Sequence, residues 1–143
     1  MSKNITKNER IILKHLRNNA RTSLIDISKE ENIPTLELIE SFLNIDHKII
    51  KKYTTLLDFE KLGYPIRWIF ILNGDKEALK GFLTAHPNVN NVSRLSGNGF
   101  YVEAVFRDMR EYYEFNSFLE KFNLKSKISH PIIKEIKREE FTI

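Results

Sequence analysis

Apolar residues in the first third of the chain recur at helical spacing, and each run is punctuated by capping residues. Ile12, Leu13 and Leu16 follow Thr6 and Glu9, a pair three residues apart that predicts a capping box and a helix ending at Asn18-Asn19. Ser23 with Asp26 repeats the start signal for a short second helix carrying Leu24, Ile25 and Ile27, stopped near Glu31-Asn32. A third helix opens at Pro34 or Thr35. Its apolar positions Leu38, Ile39, Phe42 and Ile45 predict one buried face, with Glu37, Glu40 and Ser41 outward or lateral. Three short helices with a tight turn between the second and third have the outline of a helix-turn-helix.

Beyond Asp46 the period changes from helical to extended. Ile49-Ile50 and Tyr53 to Leu57 predict a strand-like connector. From Ile66 the alternation becomes a strand, with Ile66, Trp68, Phe70 and Leu72 on one face and Arg67, Ile69 and Ile71 on the other. Asn73-Gly74 turns the chain, Asp75 caps a helix with Ala78, Leu79, Phe82 and Leu83, and His86-Pro87-Asn88 ends it. Val89 to Leu95 predicts a second strand, Ser96-Gly97-Asn98-Gly99 a turn, and Phe100, Val102, Ala104 and Phe106 a third strand. Asp108 and Glu111 cap a helix with Tyr112, Phe115, Leu119 and Phe122, and a last strand falls within 127–137, interrupted by Pro131 as at an edge or bulge. The fold class is therefore α+β. A three-helix domain at 1–52 and a connector at 53–63 precede a ferredoxin-like βαββαβ domain at 64–143.

Four strands with both helices on one side leave the other sheet face open, and Ile69, Ile71, Tyr101 and Val105 point that way. A second subunit is expected to cover them; the alternative is that the connector folds across this face.

Composition narrows the chemistry. The 143 residues include no cysteine, so thiolate metal sites, iron–sulfur clusters, disulfides and a cysteine nucleophile are excluded. No run approaches the ~20 apolar residues of a membrane span, and the polar N-terminus lacks a signal-peptide core, so a soluble cytoplasmic protein without a membrane partner is expected. His15, His47, His86 and His130 have neither helical i,i+4 pairing nor carboxylates at ligand spacing, so neither a metal nor another cofactor is expected. With no P-loop, GxSxG or GxGxxG, no catalytic residue can be named and an enzyme is not expected.

Charge is segmented. Residues 1–29 hold seven basic and two acidic side chains, 30–46 none and five, and 47–62 four and two. In a helix-turn-helix the third helix enters the major groove and basic residues around it meet phosphates. Lys14, Arg17 and Arg21 before that helix, and Lys48, Lys51 and Lys52 after it, are the phosphate candidates.

The ordered series of residues resembles the Lrp/AsnC family of transcription regulators over nearly the whole chain. Its carriers are Ile12-Leu13 and Leu16, Asn19-Ala20-Arg21-Thr22-Ser23, Ile27-Ser28, Lys48-Ile49-Ile50 with Tyr53, Leu62-Gly63 and Ser96-Gly97. The resemblance implies gene regulation, an oligomerising effector domain, and a dimer or an assembly such as a tetramer or octamer. Two paired helix-turn-helix units would then meet double-stranded DNA, with Thr35, Leu36, Glu37 and Ser41 facing base edges and Arg21, Thr22 and Ser23 the flanking backbone. A small-molecule effector would bind at Ser96, Gly97, Asn98 and Gly99, a segment whose default reading is a plain hairpin turn. The family commonly has arginine at the position of Ser41 and acidic residues after the glycine of its effector loop. Without such a carboxylate a ligand ammonium lacks its partner. The alternative function is an oligomeric interaction module whose acidic third helix binds a protein and not DNA.

Overall fold

The computed structural model describes residues 4–74 and 77–143. By its internal contacts the chain divides into two compact units. One runs to Leu56 and takes in Lys137–Ile143; the other is Leu57–Ile136.

The first unit holds α1 (Lys7–Asn18), α2 (Leu24–Glu31) and α3 (Thr35–Ile45). Each boundary has a local chemical cause. Thr6 Oγ1 accepts from the Glu9 N–H at 3.2 Å while Glu9 Oε2 accepts from the Thr6 N–H at 2.8 Å, the reciprocal capping box. Ser23 Oγ accepts from the Asp26 N–H at 3.1 Å to start α2, and Asn32, left-handed at φ 53°, ends it. The turn into α3 is tied by a relay: Thr35 Oγ1 donates to Ser28 Oγ at 2.9 Å, and Ser28 Oγ donates to the Ile33 carbonyl at 2.6 Å. Ile12, Leu13, Ile27, Leu38 and Ile45 form the core, with Phe42, Ile50 and Ile143 packed against it. Residues 51–58 carry no regular secondary structure, so the strand expected in the connector does not form there; Tyr53 Oη donates to Asp46 Oδ1 at 3.3 Å.

The second unit holds β1 (Ile66–Asn73), α4 (Glu77–Ala85), β2 (Val89–Leu95), β3 (Gly99–Phe106), α5 (Met109–Glu120) and β4 (Ser126–Pro131). The strands form one antiparallel sheet in the order β2-β3-β1-β4, the ferredoxin-like arrangement. Pro131 closes the edge strand β4, where its missing N–H interrupts no ladder. Asp108 caps α5 by accepting from the Glu111 N–H at 3.0 Å; the cap expected at Asp75 lies outside the described residues. Both helices cover the same sheet face. Phe70, Leu72, Phe100, Val102, Ala104 and Phe106 meet Leu79 and Leu83 of α4 and Tyr112, Phe115 and Leu119 of α5. Stacked rings reinforce the core, Trp68 on Tyr112 at 4.3 Å between centroids.

Candidate nucleic-acid interface

Helix α3 is held on α1 and α2 through a narrow stripe. Leu38 and Ile45 are fully buried and Phe42 half-buried, so the helix turns its opposite side outward. That side carries Leu36 at 75% exposure, Leu43 at 65% and Ile39 at 39%, with Glu37, Glu40 and Asn44 beside them. Ile39, expected in the buried face, is a correction: it lies one residue, about 100° of rotation, past Leu38. No basic side chain lies on α3.

The residues expected at base edges therefore separate. Leu36 and Glu37 are exposed, whereas Thr35 and Ser41 are half-buried. The Thr35 hydroxyl already donates to Ser28, so its work is to fix the turn. Glu40, outward as the apolar pattern predicts, was left out of the base-edge set, and the outward Leu43 and Asn44 were missed. A helical projection centred on Leu38 and Ile45 holds the signal that finds them.

The basic candidates flank this helix in sequence on both sides. Lys14, Arg21, Lys48, Lys51 and Lys52 are exposed. Arg17 is engaged: its Nη2 donates to the Glu139 carbonyl at 2.5 Å and its Nη1 lies 3.8 Å from Glu139 Oε2. Thr22 is half-buried and its N–H donates to the Asn19 carbonyl at 3.0 Å. The Ser23 hydroxyl donates to Asp26 Oδ2 at 2.6 Å. His15, which sequence spacing left without carboxylates, meets Glu31 at 2.8 Å and Glu30 at 3.8 Å, tying α1 to α2. Among the described residues no group of three metal-ligating side chains forms, and no helix is long and apolar enough to cross a membrane.

On the sheet face away from the helices, the register sets Ile71 opposite Tyr101 and Ile128, and Ile69 opposite Glu103 and His130. Ile71 is 40% exposed and Ile128 51%, while Ile69 and Tyr101 are half-buried. Val105 differs from expectation, since it is only 8% exposed within the single chain. Its register partner Arg67 donates from Nη2 to Glu103 and from Nη1 to Glu135, each at 2.8 Å, and stacks on Phe59 at 5.1 Å. Part of the segment between the helices and β1 thus reaches this face at its Arg67 end. Burial of the Arg67 guanidinium acts to lower its pKa, but the two carboxylates outweigh that and hold it above the ordinary arginine value.

The turn Ser96–Gly99 is exposed except for Gly99. Gly97 and Asn98 adopt φ of 74° and 63°, the left-handed region that suits these two residue types. The Asn98 carbonyl accepts from the Gly74 N–H at 2.9 Å, and a Cβ on Gly99 would stand 3.2 Å from the Leu72 carbonyl oxygen. Each of these observations has a structural cause in the hairpin itself.

No protein-family profile matches the chain. Among curated proteins it is 25% identical over 130 residues to the HTH-type transcriptional regulator LrpC of Bacillus subtilis, covering 87% of this chain and 89% of that one. It is 28% identical over 119 residues to the transcriptional regulator AzlB of the same organism, covering 78% and 76%. The solved structure of Bacillus subtilis LrpC superposes with a TM-score of 0.85 at 20% identity, over 94% of this chain and 99% of the other. A transcriptional regulator from Neisseria meningitidis, solved as a complex with L-Met, superposes with a TM-score of 0.79 at 21% identity over 94% of each chain. These superpositions establish a shared fold along nearly the full length.

Proposed function

We propose, from the premise that this chain is a transcription regulator of the Lrp/AsnC type, that it binds double-stranded DNA sequence-specifically as a dimer or higher oligomer. The observation that carries the reading is the placement of α3. It is anchored by Leu38, Phe42 and Ile45 and free on its opposite side, as a helix entering a major groove must be. On this reading Leu36, Glu37, Glu40 and Leu43 approach base edges. Aliphatic side chains suit a thymine methyl, and a glutamate accepts a hydrogen bond from the amino group of cytosine. Lys14, Arg21, Lys48, Lys51 and Lys52 neutralise phosphates, with Arg17 as a further cation once its bond to Glu139 opens.

The dimer contact uses the open sheet face through Ile69, Ile71 and Tyr101, joined by Ile128. Val105 contributes little because its own chain already buries it. A small-molecule effector would meet the Ser96–Gly99 turn through backbone N–H groups and Asn98. The Neisseria relative shows that this fold can hold an amino acid in that protein. Here no carboxylate sits in the turn to receive an ammonium, so a free amino acid is expected to bind weakly. The protein acts in the cytoplasm and catalyses no reaction.

Retention of the full chain on random-sequence duplex at low salt tests the reading. Binding that falls steeply with salt supports it. Exchanging Glu37 for Gln should strengthen binding to random duplex and change the preferred sequence. Absence of binding at every salt concentration overturns the reading in favour of a module whose acidic third helix docks a protein.

A further inference from the structure

The outward side of α3 differs in chemistry from the cations that flank it. Around the helix axis Leu36, Glu40 and Leu43 fall within about 60° of one another, opposite the buried Leu38 and Ile45, with Ile39 on one flank and Glu37 and Asn44 on the other. We infer that this stripe reads the duplex through pyrimidine edges: Leu36 and Leu43 against the C5-methyl groups of two thymines, and Glu40 against the exocyclic amino group of a cytosine between them. The inference rests on the DNA-binding reading and names the base pattern that such binding selects.

The leucines are displayed and not packed. Leu36 is 75% exposed and Leu43 65%, and among the described residues neither joins the core of the helical unit or the side chains packed against it. The apolar group that a base edge offers in the major groove is the thymine methyl, so covering an aliphatic side chain there favours thymine. Leu36 and Leu43 are seven residues apart, about 10.5 Å along the helix, close to three base-pair steps of about 3.4 Å. Two thymines reached together therefore lie about three base pairs apart, on either strand, with Glu40 facing the step between.

The polar part of the stripe points to the same class of base. Helix α3 carries no arginine, lysine or histidine, hence no cation to donate to guanine O6 and N7. An ionised glutamate only accepts. Cytosine offers the major groove an amino donor with no acceptor beside it on the same base, whereas adenine sets N7 next to its amino group and guanine presents two acceptors, each of which repels a carboxylate. Asn44 can pair with adenine, but it stands about 80° round the helix from Leu36, in the last turn. The exposed Lys48, Lys51 and Lys52 follow α3 directly, so the charge that attracts phosphate lies beyond the stripe in sequence and leaves Leu36, Glu40 and Leu43 to the bases.

The test is selection of the bound sequence from a random duplex pool by the full chain, followed by affinities for the selected site with single thymines replaced by deoxyuridine, which removes only the C5 methyl. The selected site should hold two thymines about three base pairs apart with a cytosine between. Deoxyuridine at either position should weaken binding about fourfold, the effect of one methyl group returned to water. Leu36→Ala and Leu43→Ala should each remove the sensitivity to deoxyuridine at one of the two thymines and leave it at the other, which a general loss of fold or affinity would not do. Glu40→Gln should move the preference at the central position from cytosine to adenine by about tenfold, since a glutamine amide pairs with both N6 and N7 of adenine. Binding that selects no sequence, a selected site without those thymines, or equal deoxyuridine penalties in the parent and both leucine variants would overturn the inference and leave DNA binding in place. A chain that binds no duplex at low salt would overturn the regulator reading, and the inference with it.

Discussion

Replacing Ile71 puts the proposed subunit contact to a quantitative test. Ile71 lies in the middle of β1, paired to Tyr101 on one side and Ile128 on the other, and is 40% exposed in the single chain. Full burial of such a side chain stabilises by about 1.5–3 kcal/mol, so covering the exposed part is worth about 1 kcal/mol in each subunit. A twofold contact counts it twice. Ile71→Ala should therefore weaken dimerisation by about 2 kcal/mol, roughly thirtyfold in Kd. Ile71→Lys adds the desolvation of two ammonium groups, several kcal/mol each, and should leave only monomer at micromolar concentration. Sedimentation velocity gives the association state, and thermal melting shows that the monomer is folded. Val105→Lys is the contrast: Val105 is buried by its own chain, so this change should unfold the sheet unit instead of merely separating subunits. A folded Ile71→Lys protein that remains fully dimeric would refute the reasoning.

Arg67→Ala strands Glu103, whose side chain is only 12% exposed, and should cost about 3 kcal/mol in denaturant unfolding; Arg67→Met combined with Glu103→Leu should recover most of it, and a loss below about 0.5 kcal/mol for Arg67→Ala would contradict this. Burial among Phe82 and Phe115 pushes the His86 imidazole below its ordinary pKa, although Glu111 pulls the other way. Its unfolded form takes up a proton first as pH falls through about 6.5, so stability should decline from there until the folded form also protonates. His86→Gln should remove that decline; a pH profile unchanged by the substitution would exclude His86 as its source. Free amino acids at millimolar concentration should shift the melting temperature by less than about 1 °C. A larger shift that survives both Asn98→Ala and Gly97→Ala would move the effector site away from the hairpin.

What the sequence makes legible follows the range of the interactions. Helix limits at Thr6, Ser23, Asn32 and Asp108 are set by contacts within a few residues, and the period-2 runs of β1 and β3 expose the core face directly. The order of these elements was enough for the ferredoxin-like sheet. Less legible was what depends on partners far along the chain. Val105 alternates like an outward residue but is buried, at the end of the sheet where Arg67 gathers Phe59, Glu103 and Glu135. The return of Lys137–Ile143 to the helices includes the Arg17–Glu139 contact, between residues 122 apart in sequence, and the packing of Ile143, neither of which leaves a periodic trace. On α3, whether Thr35 and Ser41 faced outward depended on which apolar residue centred the buried stripe. Ile39 had widened that stripe, and the outward leucine at 43 was lost with it.

The central claim, that exposed cations around an acidic third helix hold duplex DNA, is tested most directly by the salt dependence of binding in the intact protein and in Lys51→Ala with Lys52→Ala. The account predicts a linear fall of log affinity with log salt for the intact chain. The double substitution should flatten that slope by about 1.8, two contacts at about 0.9 each, with a similar loss for every sequence. An intact protein that binds no duplex at low salt, or one whose slope is the same with and without these two lysines, would contradict it.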